Sequence, residues 1–97
     1  KKMKNEITDV VLQTIFEYNK TANDADKILT EMDVDLYGGD SNLDSLGLVS
    51  FIVGLEQNIE DKLNKSVSLA NEKAMSQNSS PYKNLSSLIE FIQNELN

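Results

Sequence analysis

The chain has 97 residues, of which 16 are acidic and nine are basic, so its net charge at neutral pH is −7. This balance argues against nucleic acid or an anionic membrane as a partner, because binding either requires lysine and arginine to neutralise phosphate, and it favours partners with basic surfaces. The chain contains no cysteine and no histidine, which excludes disulfides, thiolate nucleophiles, zinc sites of cysteine and histidine, and imidazole acid–base chemistry.

A chain of this length is expected to form one domain, residues 1–97, around a single modest core. The chain starts with three lysines among its first four residues, and these are followed by Asn5 and Glu6 and a broken apolar pattern rather than by the apolar centre of a signal peptide. No apolar run approaches the length of a membrane span. The sequence therefore predicts a soluble cytoplasmic protein without a membrane span, and we expect it to be a monomer.

Apolar residues at helical spacing predict a first amphipathic helix over roughly residues 5–19, with Asn5 or Thr8 as its cap. Residues 25–32 allow a short helical turn. An acidic, glycine-containing loop follows over residues 33–44. A second and stronger helix is then predicted from a series of apolar positions: Leu46, Val49, Ile52, Val53, Leu55, Ile59 and Leu63.

The remainder of the chain is polar up to residue 83, and its few apolar anchors predict a short third helix near residues 68–76. A last helix, started by Asn84 or Ser86, is predicted from five apolar positions: Leu85, Leu88, Ile89, Ile92 and Leu96. No convincing alternating strand pattern occurs. The predicted fold class is therefore all-α, a four-helix bundle of three major helices and the short third helix.

The junction between the acidic loop and the second helix places a serine, Ser45, where a helix begins. Asp44 is a candidate N-cap, which leaves the Ser45 hydroxyl exposed, and Leu46 is expected to anchor the first turn in the core. Unpaired backbone N–H groups and the helix dipole stabilise a phosphodiester at such a position by about 0.3–1 kcal/mol. The alternative is an ordinary helix start in which Ser45 is itself the cap.

The stretch from Asp44 onward resembles helix II of the acyl carrier proteins, in which Asp-Ser-Leu is followed by apolar pairs and then Leu-Glu. Residues 85–92 resemble the last helix of that family. The following residues fall at the spacing of helix II: Asp44, Ser45, Leu46, Val49, Leu55 and Glu56. The resemblance implies a four-helix carrier in which a phosphopantetheinyl transferase moves 4'-phosphopantetheine from coenzyme A onto Ser45.

A carrier of this kind is not an enzyme. Its arm holds acyl or aminoacyl groups as thioesters and delivers them to other enzymes, so the reactive sulfur is imported onto a chain without cysteine. The implied partners are the transferase, an acyl- or aminoacyl-activating ligase, and acyltransferases or synthases with basic docking patches. No metal site in the chain is implied.

The resemblance also assigns roles along the second helix. It implies that partners recognise three acidic residues: Asp44, Glu56 and Glu60. By position, three apolar residues are candidates to line an acyl pocket, and simple core packing is the alternative for each of them: Phe51, Leu55 and Ile59.

Two positions depart from the pattern of carriers in fatty acid biosynthesis. Gly47 and Ser50 stand where those proteins usually have acidic residues. Gly47 is more similar to D-alanyl carrier proteins and other specialised carriers. Fatty-acid and polyketide synthesis, other lipid metabolism, nonribosomal peptide assembly and modification of envelope polymers all remain open as pathways, and these departures favour a specialised one.

A calcium site is a rival interpretation. Residues 33–38, followed by Asp44, approach the EF-hand loop pattern, with Asp33 and Asp35 at the first and third positions and Gly38 at the turn. Tyr37 offers no carboxylate or amide at the fifth position, and Asp44 is shorter than the usual bidentate glutamate. An acidic docking domain without a prosthetic group is a third hypothesis.

Overall fold

The computed structural model of the chain describes residues 2–22, 27–28, 30–37, 43–69 and 82–96, and the regular secondary structure within these ranges is helical. It comprises three helices, α1 (Lys2–Thr21), α2 (Ser45–Leu63) and α3 (Leu85–Leu96). An isolated antiparallel bridge joins Asp35 to Asn84. The predicted all-α class and the three major helices are therefore confirmed for the described part of the chain.

The predicted short third helix lies almost entirely outside the described residues. Ser68 and Leu69, the part of it that is described, belong to an irregular segment over residues 64–69. The helical turn expected over residues 25–32 is also absent from the part described there, residues 27–28 and 30–32. The fourth helix of the bundle thus stays a prediction.

The first helix extends beyond its predicted limits at both ends. The proposal of Asn5 or Thr8 as its cap is wrong, because both residues lie inside α1. The Thr8 hydroxyl instead donates to the Lys4 carbonyl at 2.8 Å, a bond that a threonine within a helix makes with the preceding turn.

The ends of the other two helices follow from local capping. The Asp44 carboxylate caps α2, and Asn64 ends that helix in the left-handed conformation at φ 55°, which asparagine tolerates better than most residues. At the start of α3, the Asn84 side-chain oxygen accepts a hydrogen bond from the Ser87 N–H at 2.8 Å. Of the two predicted starts of the last helix, Asn84 is therefore the cap.

Helix α1 packs against both α2 and α3. The apolar faces of the three helices form one buried cluster, to which five described residues outside the helices also belong: Ile28, Leu36, Leu43, Leu69 and Tyr82. Its helical members are Ile7, Val10, Val11, Ile15, Leu48, Phe51, Ile52, Leu55, Ile59, Leu85, Leu88, Ile89 and Ile92. Such burial is the main source of stability in a domain of this size.

A polar contact fixes the crossing of α1 and α2. The Asn58 amide donates to the Thr14 hydroxyl at 2.8 Å and to the Glu17 carboxylate at 3.1 Å. The hydrogen bond from Asn58, and next the one that the Gln13 amide donates to Glu17 at 3.1 Å, lower the pKa of the Glu17 carboxyl. Because this pKa is lowered by folding, the contribution to stability is present above the unfolded pKa and is lost as the pH falls through the folded value.

Gly54 lies at the same crossing, and its replacement by alanine is expected to stabilise the protein. A Cβ at this position would lie 3.7 Å from Thr14 Cγ2, which is ordinary van der Waals contact. Alanine avoids a cost of roughly 0.8–1 kcal/mol that glycine imposes inside a helix. Urea unfolding should show a higher free energy of unfolding for Gly54→Ala by up to about 1 kcal/mol, and a loss of stability would contradict the open space seen here.

Candidate functional site

The amino-terminal end of α2 is capped by Asp44. Its backbone is extended, its carboxylate accepts a hydrogen bond from the Gly47 N–H at 2.7 Å, and its carbonyl accepts one from the Leu48 N–H at 2.9 Å. The prediction of Asp44 as N-cap is confirmed, and the alternative of Ser45 as cap is wrong. Ser45 is the first helical residue, and its side chain lies outside the described part of the structure.

The expectation that Leu46 anchors the first turn of α2 in the core is wrong, because its side chain is 75% exposed. Leu43 just before the cap and Leu48 one residue after Gly47 do this instead, and both are buried. The cause is helical geometry: at 3.6 residues per turn, Leu46 lies nearly opposite the buried face that Leu48 begins.

Two other residues on the predicted apolar pattern are also exposed. Val49 is 39% exposed and Val53 is 57% exposed, and with Leu46 they lie along one face of α2, which we call the exposed apolar stripe. Glu60 continues this face and is exposed, and Asp44 is exposed at its start. Helix α2 therefore presents to solvent an apolar strip with an acidic residue at each end.

The third predicted recognition residue, Glu56, is half-buried and makes an internal contact. Its carboxylate accepts a hydrogen bond from the Leu69 N–H at 2.6 Å. The Leu69 carbonyl in turn accepts a hydrogen bond from the buried Tyr82 hydroxyl. Glu56 thus holds residues 64–69 against α2, whereas Asp44 and Glu60 leave their side chains at the surface.

Tyr82→Phe is expected to lower the free energy of unfolding by about 1–3 kcal/mol, because it leaves the Leu69 carbonyl without this donor in a buried position. Burial, with the charges of Glu56 and Glu95, raises the pKa of Tyr82 to about 12. The hydroxyl therefore keeps its proton, and its contribution is lost only as the pH rises from near 10 toward 12. Urea unfolding at neutral pH tests the loss, and Tyr37→Phe is the control.

A cleft of about 250 Å³ opens between α1 and the start of α2. Its lining consists of Tyr18, Leu43, Asp44, Leu46, Gly47 and Ser50. The Tyr18 ring meets the Phe51 ring edge-on, with 6.2 Å between the ring centroids. The Tyr18 ring thus forms an aromatic wall beside the first turn of α2, the turn that Ser45 begins.

Gly47 makes this close approach possible. A Cβ at this position would lie 2.8 Å from both Leu43 Cδ1 and the Tyr18 hydroxyl oxygen, shorter than real side chains allow. The absence of an acidic residue here, which the sequence marks as a departure from fatty-acid carriers, therefore has a packing cause. A longer side chain at this position would displace Tyr18 or Leu43.

Comparisons with protein-family models, with characterised proteins and with solved structures find no match to this chain. Among the helices described, none is both long enough and apolar enough to cross a bilayer. The geometry at the start of α2 is therefore the main physical guide to function.

The three residues predicted to line an acyl pocket lie in the packed core. Phe51, Leu55 and Ile59 are at most 1% exposed and belong to the buried cluster. A second cleft of about 220 Å³, between α2 and the segment that follows it, has other walls: Val53, Glu56, Gln57, Glu60, Ser66 and Val67. Phe51, Leu55 and Ile59 are therefore observed as packed core residues, and their role in an acyl pocket stays a prediction.

The described residues do not form an EF-hand frame. No helix leads into Asp33, because α1 ends at Thr21 and residues 30–32 are not helical. Asp44 uses its carboxylate to cap α2. Within the described ranges, no three acidic side chains come together as metal ligands, and residues 38–42 of the loop lie outside those ranges.

Proposed function

We propose that this chain is a carrier protein that bears acyl or aminoacyl groups on 4'-phosphopantetheine attached to Ser45. The observation that carries the proposal is that a capping aspartate, a serine and an exposed apolar surface follow one another at the amino-terminal end of α2. Ser45 begins the helix directly after an aspartate cap, and the exposed apolar stripe starts at the next residue, Leu46. An exposed apolar surface beside the attachment residue is typical of a protein that several enzymes must bind.

The proposed loading reaction needs only a hydroxyl from the chain. The Ser45 oxygen attacks the phosphorus of coenzyme A that carries pantetheine, and the bond from that phosphorus to the bridging oxygen breaks. Adenosine 3',5'-bisphosphate leaves with the electron pair, and the serine proton passes to a base of the transferase, which also holds a magnesium ion. The loaded group supplies a thiol for thioester formation, the only one on a chain without cysteine.

The residues around Ser45 fit a phosphodiester. Gly47 places no side chain beside the attachment residue, and the Asp44 carboxylate, which has the same sign of charge as a phosphate, is turned to the Gly47 N–H at 2.7 Å. The first turn of a helix has backbone N–H groups without helical partners, which attract phosphate. The chain's part in the chemistry is to present Ser45 and to hold this turn rigid through Leu43 and Leu48, and none of its residues makes or breaks bonds in the cargo.

Partner enzymes would dock on α2. The exposed apolar stripe supplies contact area, and Asp44 and Glu60 at its two ends attract basic patches on a transferase, an activating ligase, an acyltransferase or a synthase. Complementary charge of this kind mainly raises association rates and selects partners. The uncharged first turns at Gly47 and Ser50 favour a specialised cytoplasmic pathway, and we expect the carrier to act as a monomer.

Intact-mass spectrometry after incubation with coenzyme A and a phosphopantetheinyl transferase tests the proposal. The expected result is a mass increase equal to one arm in nearly all molecules. An unchanged mass would contradict a carrier function. In that case, calcium-dependent shifts of the amide resonances of Asp33, Asp35 and Asp44 would favour the EF-hand alternative, and their absence would favour an acidic docking domain.

A further inference from the structure

We propose that the cleft between α1 and α2 receives the pantoyl segment of an arm on Ser45, and that Tyr18 is the positioning residue for that segment. This inference rests on the proposed carrier function. It assigns a role to α1, a helix that the resemblance does not connect with the arm.

The location of the cleft links it to Ser45. Asp44 and Leu46, the immediate neighbours of Ser45 in the chain, both line it, and so do Gly47 and Ser50 in the next turn. A group attached at Ser45 therefore starts from a residue whose two chain neighbours both line this cleft. The second cleft, which Gln57 and Glu60 line, begins about two turns further along α2.

The size of the cleft selects a segment of the arm rather than its whole length. Its volume of about 250 Å³ lies just below the roughly 300–1,000 Å³ of pockets that enclose a complete small ligand. A long acyl chain together with its arm would exceed it. The part that fits is the part closest to the attachment point.

The chemistry of the walls selects the pantoyl segment. The Tyr18 ring, Leu43 and Leu46 offer apolar surface, whereas the Asp44 carboxylate repels a phosphate that enters further. The pantoyl segment follows the phosphate and carries two geminal methyl groups beside a hydroxyl and an amide. Its methyl groups match the apolar wall, and the exposed Ser50 hydroxyl lies on the same lining for its polar groups.

The aromatic wall is formed before any arm is attached. Tyr18 is half-buried, and its ring is held edge-on against Phe51 with an interplanar angle of 81°. Gly47 leaves the space that the Tyr18 hydroxyl occupies. Because these contacts already place the ring, ordering the arm against it requires little rearrangement of the protein.

Nuclear Overhauser spectroscopy of the loaded protein tests this inference. The chain is loaded with an arm carrying ¹³C at its geminal methyl groups. We expect cross-peaks between these methyl protons and the Tyr18 ring protons, together with an upfield ring-current shift of the methyl resonances. Tyr18→Phe should keep that upfield shift, Tyr18→Ala should abolish it, and Gln57→Ala, in the second cleft, should leave it unchanged.

The outcomes separate the two proposals. If the arm is attached but its methyl protons show no cross-peak to Tyr18 in the wild-type protein, the cleft assignment is overturned and the carrier function stands. If the arm cannot be attached at all, both proposals are overturned. The wild-type measurement does not depend on any variant folding, so loss of structure in Tyr18→Ala leaves the test decisive.

Discussion

Phe51→Ala is expected to lower the free energy of unfolding by about 3–5 kcal/mol, because it removes a large aromatic side chain from a packed core. Phe51 is 1% exposed, lies in the buried cluster and contacts the Tyr18 ring. Small domains are stable by only about 5–15 kcal/mol in total. The variant should therefore be partly unfolded or close to unfolding at 37 °C.

Urea unfolding followed by circular dichroism measures this effect, and Val53→Ala is the matched control. Val53 lies on the same helix but is 57% exposed, so its truncation should change stability by no more than about 0.5 kcal/mol. The pair also tests the predicted acyl pocket. If Phe51→Ala lowers the free energy of unfolding by less than about 1 kcal/mol, tight packing at this position is contradicted and a cavity that can adapt to an acyl chain is favoured.

The sequence predicts the helices well where periodicity and capping agree. The apolar repeats locate α1, α2 and α3, and Asp44 before Ser45 gives the start of α2 because an aspartate cap is a local signal. The predicted limits of α1 are too narrow, because the polar ends of this helix carry no apolar periodicity. Such ends are the least predictable part of any helix.

The orientation of α2 could not be predicted from its sequence. Apolar residues surround most of this helix, so the apolar pattern does not separate Leu46, Val49 and Val53, which are exposed, from the residues that are buried. Only packing against α1 decides which face is covered. The exposed apolar stripe, the main surface of the candidate site, was hidden by this ambiguity.

Contacts between distant parts of the chain could not be predicted from the sequence either. Nothing in the local pattern connects Tyr18 with Gly47, or Glu56 with Leu69, because these pairs meet only through tertiary packing. Gly47 carried a signal, a glycine in the first turn of a helix, and its cause is the approach of Tyr18. Glu56 carries no such signal, because the sequence does not distinguish a glutamate exposed at the surface from one that accepts an internal hydrogen bond.

Ser45→Ala is expected to abolish loading completely, because no other group in the proposal accepts the arm. The fold should survive: alanine has the highest helix propensity, and the cap of α2 is Asp44 rather than Ser45. Ser86→Ala is the matched control, since Ser86 is an exposed serine in the first turn of α3, after an asparagine cap, and is not part of the cleft beside Ser45. We expect this control to load as fully as the wild-type protein.

Peptide mapping by mass spectrometry after transferase treatment tests the central claim most directly. The carrier function predicts one phosphopantetheine on the wild-type chain, localised by fragmentation to Ser45, and none on Ser45→Ala. An arm found on Ser50 or any other residue, or a folded wild-type chain that stays unmodified beside a loaded control carrier, would contradict it.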